Sequence, residues 1–266
     1  MLYGAIIGDI VGSIYEFNNI RTKDFNFFSK EMFFTDDTVM TIAIYNALVK
    51  CKGNYKTLSE KVIDEMRLYG ALYPKRGYGG NFAIWLTTPH PIPYNSFGNG
   101  SAMRVSAVPY FAKDLEEVKL LSRLVTEVTH NHPEGIKGAE ATAVAIYMAL
   151  NKKSKEEIKK YIEENYYNLD FTLDEIRPTY KFNETCQNTV PQAIKAFLES
   201  EDFVDCIRCG ISIGGDSDTL CAIAGSIAEA YYGIDENIKE KALCYLDDNL
   251  KKIILQANKK ETRSFQ

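Results

Sequence analysis

The sequence predicts an all-α protein folded as a single domain, without a sheet. Three observations carry this expectation. Apolar residues recur at helical spacing in one stretch after another, alternating strand patterns are nearly absent, and no linker or internal repeat divides the 266 residues. Gly4, Gly8 and Gly12 fall four apart, so on a helix they form one smooth stripe. Such a stripe suits a tightly buried first helix against which another backbone packs very close. Beyond Glu16-Phe17 the pattern dissolves until Phe34, and residues 18–34, with several Asn, Lys and Phe, read as a loop able to fold over something.

Helices are then expected over 38–50, 58–69, 115–129, 136–150, 155–166, 186–199, 203–213, 218–232 and 236–250. Pro191 is expected to kink its segment or to mark the true helix start. The stretch 136–150 is rich in alanine and apolar on most faces, the pattern of a central helix wrapped by others. Between helices lie two glycine-rich loops, Lys75-Arg76-Gly77-Tyr78-Gly79-Gly80-Asn81 and Ser96-Phe97-Gly98-Asn99-Gly100-Ser101-Ala102-Met103-Arg104. Loops of this composition let backbone N–H groups approach a ligand with no Cβ in the way, although a plain turn accounts for either one alone.

Composition bounds the function. With 45% hydrophobic and 25% charged residues the chain reads as an ordinary soluble globular protein. A net charge of −5 with no basic block argues against a nucleic-acid backbone as main partner. It also requires that any anionic substrate find its positive charge locally, from metal ions, helix N-termini or a few basic side chains. No apolar run approaches the ~20 residues of a membrane span, so no membrane partner is expected. The start lacks a basic region and meets Asp9 early, unlike a secretory signal. Of six cysteines only Cys206 and Cys209 form a CxxC, and both read as buried apolar residues in a reducing, cytoplasmic setting. A compact monomer is the simplest expectation.

The chemistry concentrates in two clusters. Thr35-Asp36-Asp37-Thr38 and Gly214-Gly215-Asp216-Ser217-Asp218-Thr219 each place carboxylates and hydroxyls at the start of a helical run. N-capping explains one such cluster as well as metal binding does. Two that meet in space would offer several hard oxygen ligands, the set preferred by Mg²⁺, Mn²⁺ or Ca²⁺ over Zn²⁺. Left unneutralised, Asp36, Asp37, Asp216 and Asp218 would raise one another's pKa values, a conflict that two divalent cations resolve. A third element, Thr129-His130-Asn131-His132-Pro133-Glu134-Gly135, reads as a turn and helix entry, with His130 or His132 able to donate to a ribose or phosphate.

Taken in order, Gly8-Asp9-(x2)-Gly12-(x3)-Glu16-Phe17, the Thr35–Thr38 cluster, Gly98-Asn99-Gly100-Ser101-Ala102-Met103-Arg104, His130-Asn131-His132-Pro133-Glu134-Gly135 and the Gly214–Thr219 cluster resemble the ADP-ribosylglycohydrolase family. The resemblance runs from about residue 4 to about residue 232, and it implies that the single all-α domain is an orthogonal helical bundle. It implies a metal-dependent hydrolase that cleaves an N- or O-glycosidic bond between ADP-ribose and an acceptor: a protein side chain, a nucleic-acid base or a small molecule. It implies two Mg²⁺ (or Mn²⁺) held by Thr35, Asp36, Asp37, Asp216, Asp218 and Thr219. Glu16 and Asp36 are the carboxylates it offers as general acid or base, with the choice between them open. Gly77, Gly79, Gly98, Asn99, Gly100, Ser101, Met103, His130 and His132 are expected to contact substrate. Residues 151–183 match nothing of the family pattern.

Two other classes compete. One is a non-catalytic, ADP-ribose-binding or crystallin-like relative on the same fold, which loss of an aspartate from either cluster would signal; none is lost. The other is a metallo-phosphohydrolase or nucleotide hydrolase on a different helical fold. Release of free ADP-ribose, rather than phosphate or AMP, separates them.

Overall fold

The computed structural model describes the backbone of residues 1–264 and the side chains of residues 1–258, and among them it contains α-helices and short 3₁₀ turns but no β-strand. The fold class is all-α, as the sequence predicts.

The fold is organised around α1 (Tyr3–Gly12) and α11 (Ser217–Tyr232). Every residue of α1 is buried, and so is α11 from Ser217 to Ala228. The glycine stripe explains how two helices can share one core. A Cβ at Gly4 would lie 2.1 Å from the Gly225 carbonyl oxygen, at Gly8 2.0 Å from that of Cys221, and at Gly12 2.4 Å from the Asp218 Cα. The pairing is antiparallel, since positions rise along α1 as they fall along α11. It therefore carries the C-terminal end of α1 to the N-terminal end of α11, where Asp216 and Asp218 sit.

Around this pair, α2 (Asp36–Cys51) packs on α1 and on α3 (Leu58–Leu72). The alanine-rich α6 (Pro133–Leu150) is enclosed by α5 (Leu115–Thr126), α9 (Cys186–Glu199) and α11, the central position expected of it. The helix α10 (Phe203–Ile213) closes the layer against α9 and α11, and α7 (Lys155–Asn165) flanks α6. Pro191 neither starts nor ends α9: the helix runs through it with Pro191 buried.

Elsewhere the structure departs from the expected boundaries. The first glycine loop leads directly into a helix, α4 (Gly80–Thr87), whose interior is mostly exposed and so has no apolar stripe to announce it. A single turn, α8 (Leu173–Ile176), is held by a capping box between Thr172 and Glu175. The expected helix 236–250 is two helices, α12 (Glu236–Leu243) and α13 (Asp248–Ser264). Between them the Asp247 carboxylate accepts from Leu250 N at 3.0 Å and restarts the chain. The apolar stretch 105–111 is only a 3₁₀ turn, Val108–Tyr110. No helix among the described residues is long and apolar enough to cross a membrane.

Candidate active site

Three helix ends converge on one cleft of about 640 Å³. The C-terminal end of α1 brings Asp9 and, just beyond it, Glu16; the N-terminus of α2 brings Thr35, Asp36 and Asp37; that of α11 brings Asp216, Asp218 and Thr219. The two oxygen-rich clusters recognised in the sequence therefore meet. Carboxylate oxygens of Asp9, Asp37 and Asp218 lie within 4.8 Å of one another, as do those of Glu16, Asp216 and Asp218. Asp218 belongs to both groups.

Asp9 is the residue that sequence reasoning left without a role. It is fully buried and accepts from Thr35 N at 2.9 Å, Thr35 Oγ1 at 2.7 Å, Thr38 N at 3.0 Å and the Thr38 hydroxyl. It thus caps the start of α2 from another helix and fixes where Asp36 and Asp37 stand. The signal was present: an aspartate in the interior of a glycine-striped apolar helix must be paired with something.

The carboxylates are starved of partners by comparison. Asp37 Oδ2 accepts from Thr219 Oγ1 at 3.1 Å, while Asp37 Oδ1 is buried with no hydrogen-bond partner among the described residues. Asp216 Oδ2 accepts from Asn99 Nδ2 at 2.7 Å. Burial first, and neighbouring carboxylates second, hold Asp36, Asp37 and Asp218 well above the usual carboxylate range. Asp9 is pushed up to about 6 by burial, its hydrogen bonds opposing the shift. Glu16 is pushed up to about 7 by burial and by Asp216, Asp9 and Glu184. An all-oxygen donor set, mutual repulsion and an orphaned buried oxygen together fit hard divalent cations.

The segment after α1 is anchored to the turn before α11. Asn19 donates to the Gly215 carbonyl at 2.9 Å and accepts from Gly215 N at 2.8 Å, and the Arg21 guanidinium donates to the Ile213 and Tyr180 carbonyls. Glu16 is thereby held beside Asp216. Part of the 18–34 loop also reaches the cleft, through Phe33.

Gly77, Gly79, Gly98, Asn99, Gly100, Met103 and His130 all line the cleft. Gly77 has φ +97° and a Cβ there would press on Asp36 Oδ1 at 3.2 Å. The Gly98 turn is held by Asn99 N donating to Glu184 O at 2.8 Å and Cys186 N to Phe97 O at 3.0 Å. Most amides of this turn find acceptors inside the protein, which leaves Gly100 N–H unpaired among the described residues. Two expected contacts fall elsewhere. Ser101 is fully buried and donates to Gly135 O at 2.8 Å, tying the turn to α6. His132 caps α6, accepting from Glu134 N at 3.1 Å, and packs on Phe97; neither residue lines the cleft. Tyr94, Phe97, Phe82 and Arg104 line it without having been singled out, as does the N-terminus of α4.

A sequence model of the ADP-ribosylglycohydrolase family matches residues 1–264. The chain is 27% identical to ADP-ribosylhydrolase ARH3 of Homo sapiens, covering 88% of this chain and 85% of the relative. It is 24% identical to ADP-ribosylarginine hydrolase Tri1 of Pseudomonas putida (strain GB-1), covering 88% and 70%. It is 26% identical to ADP-ribosyl-[dinitrogen reductase] glycohydrolase of Rhodospirillum rubrum, covering 76% and 70%. A solved structure described as an ADP-ribosylglycohydrolase-related protein complex shares the fold with TM-score 0.62 at 20% identity, over 94% of this chain and 92% of that one.

Proposed function

Because this chain belongs to the ADP-ribosylglycohydrolase family and is a hydrolase of glycosidic bonds, we propose that it releases ADP-ribose from ADP-ribosylated protein in a reaction that depends on divalent cations. The observation that carries the reading is the pair of carboxylate groups sharing Asp218 at the base of the cleft, with Asp37 Oδ1 buried and unsatisfied. Thr35, Asp36, Asp37, Asp216, Asp218 and Thr219, joined by Asp9 and Glu16, would hold two Mg²⁺ or Mn²⁺. Bound there, the cations would neutralise the carboxylates and orient ribose hydroxyls beside the anomeric carbon.

The chain's own groups do the rest. Water adds to the anomeric carbon as the bond to the acceptor breaks, through an oxocarbenium-like transition state. One proton leaves the water and one reaches the departing acceptor atom. Glu16 and Asp36 both face the cleft and are both raised toward neutrality, which suits a carboxyl group to either transfer. The diphosphate finds donors despite the net charge of −5. The first amides of α4, at Gly80 and Asn81, line the cleft, and so does Gly100.

The relatives act on differently named targets, and ADP-ribosyl-arginine protein is the first substrate to assay, beside its serine counterpart. Release of free ADP-ribose should stop in excess chelator and return with Mg²⁺ or Mn²⁺ better than with Zn²⁺. Full turnover in excess chelator overturns the cation dependence; release of AMP or phosphate instead of ADP-ribose overturns the reaction.

A further inference from the structure

At the Gly98 end of the cleft a buried arginine faces no carboxylate among the described residues. Arg104 is 1% exposed, and its guanidinium donates to Thr129 Oγ1 at 2.7 Å and more weakly to the Val125 and Thr126 carbonyls. Thr129 Oγ1 in turn lies 2.7 Å from His130 Nδ1. His130 is itself buried, and its Nε2 finds no hydrogen-bond partner among the described residues. That nitrogen looks across the Gly98 turn: Cβ atoms built on Gly98 and Gly100 would stand 3.5 and 3.6 Å from it.

We infer that Arg104 and Thr129 are positioning residues that lock His130 as a neutral imidazole with its proton on Nε2, aimed as a hydrogen-bond donor at an oxygen of the bound diphosphate. The logic is a count of protons. Arginine has donors only, so Thr129 Oγ1 must accept from Arg104. The hydroxyl then has one proton to give. His130 Nδ1 stands 2.7 Å away, whereas the alternative acceptor, the Thr126 carbonyl, is 3.4 Å away and already accepts from Thr129 N and His130 N. The proton goes to Nδ1, so the ring proton must sit on Nε2. Protonation of both nitrogens is opposed by burial and by the nearby Arg104 charge, which hold His130 well below the usual histidine range.

The ligand chemistry follows from the geometry. A neutral N–H donor beside the unpaired Gly100 N–H, next to glycines that leave room for close approach, matches an anionic oxygen better than a base or a cation. The Gly98 turn offers few free amides of its own, so His130 supplies a donor that the backbone does not.

The assignment of the ligand rests on the proposed hydrolase reading, but the tautomer does not. The chain has three histidines, so nitrogen NMR of ¹⁵N-histidine-labelled protein, with a His130→Gln sample for assignment, reads the ring directly without substrate. The expected result is a neutral His130 with Nε2 protonated and Nδ1 bare. Thr129→Val should lose that single form, and should weaken ADP-ribose binding about tenfold, as for one hydrogen bond lost. Thr129→Ser, which keeps the hydroxyl, should restore both. A wild-type ring protonated on Nδ1, or a folded Thr129→Val protein with an unchanged spectrum, overturns the relay. A restored tautomer in Thr129→Ser with ADP-ribose affinity unmoved by either variant overturns the ligand assignment. A wild-type protein that binds no ADP-ribose overturns the hydrolase reading while leaving the ring measurement standing.

Discussion

Gly8→Ala separates helix propensity from packing, because the two predict opposite signs. Alanine favours an isolated helix over glycine by about 1 kcal/mol, so propensity alone predicts stabilisation. The structure predicts the reverse. The new Cβ would sit 2.0 Å from the Cys221 carbonyl oxygen, about 1.4 Å short of the 3.4 Å at which ordinary contact begins, and 2.6 Å from Ala222 N. Both obstacles are backbone of α11, so no side chain can swing aside. The helices must separate by about an ångström, which disturbs the packing of Ile6, Ile7, Ile10 and Val11, all at most 1% exposed. Overpacking with a soft neighbour costs about 1–3 kcal/mol, and a rigid one puts the loss at about 3 kcal/mol or more, set against a total stability of roughly 5–15 kcal/mol. Urea unfolding followed by circular dichroism measures it as a lower midpoint. Gly80→Ala is the control, since nothing lies within 4 Å of its Cβ. A Gly8→Ala midpoint equal to or above that of the parent would refute the close backbone contact as the reason for the stripe.

Two further predictions concern the carboxylates. In cation-free protein Asp9 and Glu16 are raised to about 6 and about 7, so the fold holds protons that the unfolded chain has released, and stability falls as pH rises from about 4 through 7. The thermal midpoint with chelator should drop between pH 5 and 7.5, and Mg²⁺ should raise it more at pH 7.5; an equal cation effect at both would refute the coupling. Glu16→Gln should lower turnover at least ~100-fold, the lower end for a lost general acid or base, with ADP-ribose affinity by calorimetry changing far less; near-normal turnover would shift the proton-transfer role to Asp36.

Long amphipathic helices were legible because their pattern is set by the core they face. The stretches 186–199 and 203–213 coincide with α9 and α10 to the residue. Helix α4 was not legible: only Phe82 and Trp85 are buried in it, and its glycine-rich start reads as a turn. The clusters at Asp36-Asp37 and Asp216–Thr219 stood out because each sets carboxylates among hydroxyls directly before an apolar helical run. Their meeting depends on the antiparallel registration of α1 against α11, which periodicity does not reveal. The separation of Asn99 from Ser101 was equally hidden, since a 3₁₀ turn of three residues sends them to different sides of its axis, one to Asp216 and one into α6.

The same registration gives the cleft its polarity. One end is a crowd of carboxylates whose charge the protein leaves largely uncompensated, with Asp37 Oδ1 unpaired. At the other, Arg104 is buried and, among the described residues, no carboxylate compensates its charge and the donors of His130 and Gly100 remain free. Collapse onto each other would satisfy both, yet they belong to different packing units. Asp9 and Asp218 are fixed by the α1–α11 contact, whereas Arg104 is fixed by the carbonyls at the end of α5. Holding opposite charges apart costs stability, and burial makes the cost larger. A ligand with an anionic centre at one end and hydroxyls at the other relieves it at both, provided cations cover the carboxylates. ADP-ribose has that order of groups, diphosphate then ribose. The protein's net negative charge is therefore no obstacle to an anionic substrate, because it is concentrated where cations, not the diphosphate, would bind.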